Sequence, residues 1–280
     1  MDTIALLGTG LLGAGMVENL LAKGHRVRVW NRTRDKLAPL VAAGAAAAED
    51  PAAAVRGVGR VHLVLAADDA VDTVVAQLRP GLTAGVPVID HSTNLPARVA
   101  ERCRALRAAA VRYVPAPVFM SPANARDASG LMLLAGPQAD ADELTPLLAP
   151  MTGKVWHVGE RPDLAAVYKL AGNSLFFALS AAMADVLSMG KGNGVAPEQM
   201  LKLFDVFKPG SALPWIGQRV LAGGGGPASF ELTMARKDAR LMQETAGAER
   251  LLLLPAIAAA MDAAIARGHG AADFAAFVRG

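Results

Sequence analysis

The stretch that decides the fold runs from Thr3 to Trp30: TIALLGTGLLGAGMVENLLAKGHRVRVW. Thr3 to Leu7 is a short, continuous apolar run, the pattern of a strand covered on both faces. It passes directly into Gly8-Thr9-Gly10-Leu11-Leu12-Gly13, a G-x-G-x-x-G. The residues that follow predict a helix from Leu11 to about Lys23, ended by Gly24-His25. Arg26 to Trp30 alternates and reads as a second strand. Strand, glycine turn, helix and strand within about thirty residues is the frame in which this spacing binds a dinucleotide. Gly8 makes the turn, Gly10 lets the backbone approach a pyrophosphate, and Gly13 lets helix and strand pack closely. The helix start at Leu11, Leu12 and Gly13 offers N–H groups and a dipole to the phosphates.

The end of the second strand selects the cofactor. An acid there would bond the ribose hydroxyls of NAD. This chain has Asn31-Arg32-Thr33 instead. No carboxylate opposes a 2′-phosphate, and the planar fork of Arg32 suits one, with Arg34 as a second candidate. The expected cofactor is therefore NADP(H).

The alternation of strands and helices continues. Arg60 to Ala66 is a third strand, Val86 to Asp90 a fourth and Val111 to Val114 a fifth. Asp68-Asp69 reads as a helix cap rather than a catalytic dyad. His91-Ser92-Thr93-Asn94 follows the fourth strand. Hydroxyls at the carboxyl end of a parallel strand lie where ligands bind, and Thr93 or Asn94 also suits the cap of a helix from Leu95 to Ala110. Pro115 to Pro122 (PAPVFMSP) reads as a stiff, non-helical loop. Leu131 to Ala135 and Lys154 to Val158 are two further strands, with a helix from Asp140 to Pro150 between them.

Leu164 to about Gly190 (LAAVYKLAGNSLFFALSAAMADVLSMG) carries apolar residues at helical spacing for about seven turns. Lys169 and Asn173 are one turn apart and share a face. The neighbours of Lys169 leave little polar surface, so its amine must find partners, and partial desolvation lowers an amine's pKa. Beyond Gly190 the pattern is helical throughout, with candidate helices at 197–207, 211–221, 230–248, 254–267 and 271–278. Trp215, Phe230 and Met234 suit either the core or the substrate side.

The fold expected is α/β: a Rossmann-type doubly wound sheet over residues 1–161, then an all-α domain over 162–280 that begins with the long interdomain helix. With 280 residues, 53% of them apolar, the chain can bury two cores. A net charge of +3 with no basic block gives no reason to expect nucleic-acid binding. The lone Cys103 reads as core filler in a reducing compartment. The five histidines are scattered in sequence, so no metal site is expected. No leader is visible at the N-terminus, and the apolar run 251–261 is too short for a bilayer. A cytoplasmic enzyme without membrane attachment is the expectation.

Four motifs, in order, resemble those of the β-hydroxyacid dehydrogenases, relatives of 3-hydroxyisobutyrate dehydrogenase, glyoxylate/succinic semialdehyde reductases and 6-phosphogluconate dehydrogenase. GTGLLGAGMVENLLAKGHRVRVWNRT is similar to the family's cofactor motif. DHST (Asp90 to Thr93) resembles its D-x-S-T, which implies that Thr93 meets the cofactor and Ser92 the substrate. YKLAGN places Lys169 on the catalytic lysine and Asn173 on its partner amide. RKDARL places Lys237 and Asp238 on a C-terminal K-D motif that lines the cofactor cleft. The resemblance implies hydride transfer between NADPH, held also near Leu65 and Ala66, and a small aldehyde or keto acid. It also implies a homodimer or tetramer with shared helices.

Two departures stand out. Where the family has D-A-P-V-S-G-G, this chain has Pro115 to Ser121, so Phe119, Met120 and Ser121 replace the S-G-G in the loop, Val118 to Ser121, that the resemblance places against the substrate. The approach to the lysine, GERPDLAAVYK, resembles the imine reductases instead, which commonly carry Asp or Tyr at the position of Lys169. C=N reduction, or dinucleotide binding without turnover, are the alternatives to carbonyl reduction.

Overall fold

The computed structural model describes residues 3–279. Its first unit alternates strands and helices in chain order. These are β1 (Thr3–Leu7), α1 (Leu11–Ala22), β2 (Arg26–Trp30), α2 (Ala38–Ala42), β3 (Ala46–Ala47), α3 (Pro51–Val55), β4 (Arg60–Leu63), α4 (Asp68–Leu78), β5 (Val88–Asp90), α5 (Pro96–Ala108) and β6 (Tyr113–Pro115). The six strands form one parallel sheet in the order β3-β2-β1-β4-β5-β6. The sheet grows one way from β1 through β2, then reverses and grows the other way through β4. Ligands of such sheets bind at that reversal, outside the carboxyl ends.

The register sets the geometry of that rim. Leu7 pairs with Trp30 on one side and Leu63 on the other, Leu63 pairs with Asp90, and Asp90 with Pro115. Residues just past these positions therefore lie along one edge. They include Gly8, Asn31, Leu65, Ser92 and Ala116. The sheet is covered on both faces, which is why β1 is apolar throughout: Ile4 and Leu6 enter the core with α1, while Ala5 and Leu7 enter the core with α3 and α4.

The segment expected to be a stiff loop contains a short strand, β7 (Val118–Phe119), and then α6 (Pro122–Arg126). β7 runs antiparallel to β8 (Leu131–Ala135), which after α7 (Gln138–Leu148) pairs in parallel with β9 (Lys154–Gly159). Proline at 117 and 122 confines the strand without preventing it, because neither lies inside the paired residues.

The long helix, α8 (Leu164–Gly192), has 29 residues and spans about 43 Å. Ala165 and Ala166 are buried in the cores of the first unit. The chain forms two compact units that divide inside this helix, between Asn173 and Ser174. By length and hydropathy α8 could cross a bilayer, a test that core helices of soluble proteins also meet.

The second unit contains α9 (Pro197–Leu201), α10 (Leu203–Val206), α11 (Leu213–Leu221), α12 (Leu232–Ala246) and α13 (Leu254–Ala264). Its core is alanine-rich, with Leu232, Ala235, Ala239, Ala258, Met261 and Ala264 in contact. The helix expected over 197–207 is two short helices, and 271–278 is a 3-10 turn from Phe274. Past α13 the helix opens into a wider π turn ended by Gly268 at φ 90°. Two buried carboxylates organise the unit. Asp185 on α8 accepts N–H bonds from Leu252, Leu253 and Leu254 at 2.6, 3.0 and 2.8 Å, fixing the entry to α13. Asp273 accepts from the Ser229 backbone and hydroxyl and pairs with Arg219.

Candidate active site

The three motif glycines are needed for different reasons. Gly8 has φ 98°, and a Cβ there would lie 2.2 Å from the Val64 carbonyl oxygen. A Cβ on Gly13 would lie 2.0 Å from the Gly8 oxygen. The backbone packs too closely at both points for any side chain. A Cβ on Gly10 meets nothing within 4 Å. The fold does not need that glycine, but a group resting on the start of α1 would. Gly10 is also the N-cap of α1, so no side chain covers the N–H groups of Leu11, Leu12 and Gly13. The Leu11 side chain stands 79% exposed beside them. This cradle fits a pyrophosphate.

Asn31 shapes the turn through its amide. Its Oδ1 accepts from the Thr9 N–H at 3.0 Å, and its Nδ2 donates to the Thr33 carbonyl at 2.9 Å. Arg32 and Thr33 are exposed at the end of β2, and Arg34 opens a 3-10 turn. The Thr9 hydroxyl and the Asn94 carbonyl oxygen are buried without a hydrogen-bond partner. Both lie within two residues of the rim.

Over β4 and β5 the hydrogen bonds differ from the sequence expectation. Ala67, with no side-chain bond, is the N-cap of α4, so Asp68 and Asp69 do not cap it. Asp68 instead accepts from the Leu95 N–H and pairs with the buried Arg102. Leu95 is the N-cap of α5, so neither Thr93 nor Asn94 caps that helix. Asn94 donates to Asp90 at 2.7 Å, and Asp90 also accepts from the Ser92 N–H and the Tyr113 hydroxyl. The carboxylate thus holds the turn in place from below. Ser92 is buried, and its hydroxyl accepts from the Leu65 N–H at 2.9 Å, tying the two strand ends together. Thr93 and Ala66 are exposed, and Leu65 is half-buried.

The segment expected to receive the substrate is only partly available. The Val118 side chain is buried in the main core. Ser121 is the N-cap of α6: its hydroxyl accepts from the Asn124 N–H at 3.1 Å and donates to Asn124 Oδ1 at 2.6 Å. That capping box commits the hydroxyl locally. Phe119 and Met120 remain half-exposed.

Phe119 leads to the central helix. A Cβ built on Gly172 would lie 2.4 Å from Phe119 Cζ, so the ring rests directly on the α8 backbone. One turn earlier, the Lys169 amine lies 4.3 Å from the ring centroid. Lys169 Nζ also donates to Asn173 Oδ1 at 3.0 Å. Burial pushes this amine below its ordinary value of 10.5. The aromatic face favours the cation but does not reverse the shift. The result is an ammonium that gives up its proton more readily than a solvated lysine, with an amide beside it.

Lys237 lies in the second unit on α12, exposed, 2.8 Å from Asp238. Trp215 stacks on Phe274 at 6.1 Å, with Phe230 on the same ring at 6.3 Å. Cys103 is buried and its thiol is pushed up to about 12 by desolvation, which suits filler and not a nucleophile. The sequence reading treats the histidines as scattered, yet the β4–β5 register brings two of them into contact: His62 Nδ1 and His91 Nε2 are 2.9 Å apart. No spacing rule reveals that pair, because it depends on a non-local register.

Residues 3–159 match the sequence profile of the NAD binding domain of 6-phosphogluconate dehydrogenase. Residues 164–280 match that of the NAD-binding domain of NADP-dependent 3-hydroxyisobutyrate dehydrogenase. The chain is 30% identical to the NAD-dependent L-serine dehydrogenase of Pseudomonas aeruginosa, over 89% of this chain and 86% of that one. It is 27% identical to glyoxylate/succinic semialdehyde reductase 1 of Arabidopsis thaliana, over 98% and 96%. The fold is similar to an imine reductase from Myxococcus stipitatus in complex with NADP+, with a TM-score of 0.88, 21% identity and 99% of each chain covered. The chain belongs to the β-hydroxyacid dehydrogenase family and is a nicotinamide-dinucleotide oxidoreductase of the 3-hydroxyisobutyrate dehydrogenase type.

Proposed function

We propose that this enzyme reduces a small carbonyl compound with NADPH and that Lys169 is its general acid. The observation that carries the reading is the Lys169 amine, desolvated against Phe119 and bonded to Asn173. When bound, the cofactor supplies a hydride to the substrate carbon. Lys169 Nζ gives its proton to the oxygen that gains charge and is left as a neutral amine; oxidation of the hydroxy acid runs the same transfer backwards. Asn173 holds Lys169 through Oδ1, leaving its Nδ2 to stabilise that oxygen. Thr93 is the exposed hydroxyl of the β5 turn and meets the cofactor, while Ser92 sets the spacing between the β4 and β5 ends. The choice of NADPH over NADH rests on Arg32 at the position where an acid would select NAD.

A second reading, reduction of C=N, is favoured by Phe119 and Met120. Together they present apolar surface where a carboxylate-binding hydroxyl is expected. A panel of succinic semialdehyde, glyoxylate and a cyclic imine such as 1-pyrroline, each with NADPH and NADH, separates the readings. Turnover of the aldehydes supports the first, and turnover of the imine alone supports the second. Tight NADPH binding with no turnover of any of them would leave a dinucleotide-binding protein.

The α8 face that includes Phe176 and Phe177, at 60% and 72% exposure, is apolar. We infer that a second copy of the chain covers it, giving a homodimer or a tetramer built from it. A cytoplasmic location accords with this reading.

A further inference from the structure

Arg60, His62, His91 and Ala116 form a hydrogen-bonded chain along one face of the parallel sheet. Arg60 Nε donates to His62 Nε2 at 3.1 Å. His62 Nδ1 and His91 Nε2 lie 2.9 Å apart, and His91 Nδ1 lies 2.7 Å from the Ala116 carbonyl oxygen. The ends fix the order of donors. A guanidinium only donates and a carbonyl only accepts. Each imidazole must therefore carry its single proton on Nδ1, and both are neutral. A further proton on His62 Nε2 would face the Arg60 N–H. One on His91 Nε2 would face the His62 N–H. Both rings are buried, and they overlap with centroids 5.2 Å apart.

The far end of this chain is the segment that carries Phe119. The Ala116 N–H donates to the Asp90 carbonyl at 2.7 Å, so His91 and Asp90 hold Ala116 from both sides of its peptide units. The Pro117 carbonyl accepts from Leu133, and β7 follows at once. Only Pro117 and Val118 separate the His91 anchor at Ala116 from Phe119, whose ring rests on Gly172 beside Lys169.

We propose that His91, oriented by His62, is a positioning residue that sets the Phe119 strand against Lys169. The functional half of this rests on Lys169 being the active amine. Around the pair, Arg60 on β4 opposes protonation of His62, while the Ala116 carbonyl and then Asp90 on β5 favour protonation of His91, with Tyr113 of β6 sharing the Asp90 carboxylate. Desolvation is the largest influence on both rings and holds them below 6.5. The pair is thus neutral at ordinary pH.

Two measurements test this without any substrate. In the NADPH complex, nitrogen-15 imidazole spectra are expected to show two histidines as Nδ1–H tautomers that do not titrate near 6.5. Amide exchange at Ala116 and Leu133 is expected to quicken about tenfold in His91→Leu and to stay near wild type in His91→Asn, whose amide keeps a donor at the Nδ1 position. A third measurement uses whichever of succinic semialdehyde and 1-pyrroline is turned over. His91→Leu should lower its kcat/KM about tenfold, with NADPH affinity within about twofold, and His91→Asn should restore it. His62→Leu, which keeps the His91 side chain but removes the partner that orients it, should move the same readouts in the same direction by a smaller factor should His91→Leu not fold. An ordinary titration of either ring, an Nε2–H tautomer, or unchanged exchange at Ala116 would overturn the anchor. If kcat, KM and NADPH affinity all shift together, the positioning role is wrong and only a structural one is left. Absence of turnover in the wild type would remove the carbonyl-reductase reading while leaving the first two tests intact.

Discussion

The Lys169 amine sits 4.3 Å from the centroid of the Phe119 ring, and that ring is seated on the α8 backbone at Gly172, one turn away. Aromatic, glycine and amine form one unit on the same helix face. Removing the ring lets water reach the amine, so Phe119→Ala should move the Lys169 pKa back toward 10.5. Under the proposed mechanism the acid form drives reduction, so the rate should fall as pH rises through the lowered Lys169 value. In Phe119→Ala that alkaline limb should lie at higher pH. A pH profile of kcat for both proteins checks the direction.

Gly172→Ala tests the seating from the other side. The added methyl would be 2.4 Å from Phe119 Cζ, so the ring must move. Displacements of this kind cost about 1–3 kcal/mol. The expected result is a drop in kcat with unchanged NADPH affinity, since the glycine turn lies elsewhere in the chain. Titration of cofactor fluorescence alongside steady-state rates separates the two effects.

The motif glycines give a sharper contrast. Gly10→Ala adds a methyl into open space, so the melting temperature should stay within a few degrees of wild type while NADPH binding weakens at least tenfold. Gly13→Ala drives a methyl into the Gly8 carbonyl and should destabilise the protein by about 1–3 kcal/mol. Thermal melts with and without NADPH distinguish a ligand-imposed glycine from a packing-imposed one.

Arg32→Ala should weaken NADPH by about tenfold or more, the scale of a charged hydrogen bond of about 1.5–3 kcal/mol, and leave NADH nearly unchanged. Isothermal titration with both nucleotides measures the difference. Equal losses would move the 2′-phosphate to another residue, with Arg34 next in line.

In the second unit, burial pushes the Asp185 carboxyl up, but three backbone N–H donors outweigh it and hold the group below 3.8. A carboxyl with a lowered native value contributes stability above its unfolded value, and that contribution is lost as pH falls through the native one. Asp185→Ala should cost about 1–2 kcal/mol at neutral pH, and less below pH 3.8. Denaturant melts at two pH values give the comparison.

Much of the first unit is legible because its strands are local and apolar, and the Gly8–Gly13 turn announces the connection between the first two. The Lys169–Asn173 pair is legible because helical spacing fixes which residues share a face. The remaining differences come from long-range pairing. The brief strand Val118–Phe119 forms only because Leu131 and Met132 arrive beside it. Asp68 leaves its expected cap for Arg102 and the Leu95 N–H, which come from a distant helix and its approach. Ser121 reads as a substrate hydroxyl until Asn124 is seen to claim it.

Single-turnover hydride transfer in Lys169→Ala tests the central claim most directly, with NADPH affinity measured on the same sample. The expected result is a rate lower by roughly 10²–10⁴-fold, with cofactor binding intact. A wild-type rate in that variant would contradict the assignment of the proton to this amine.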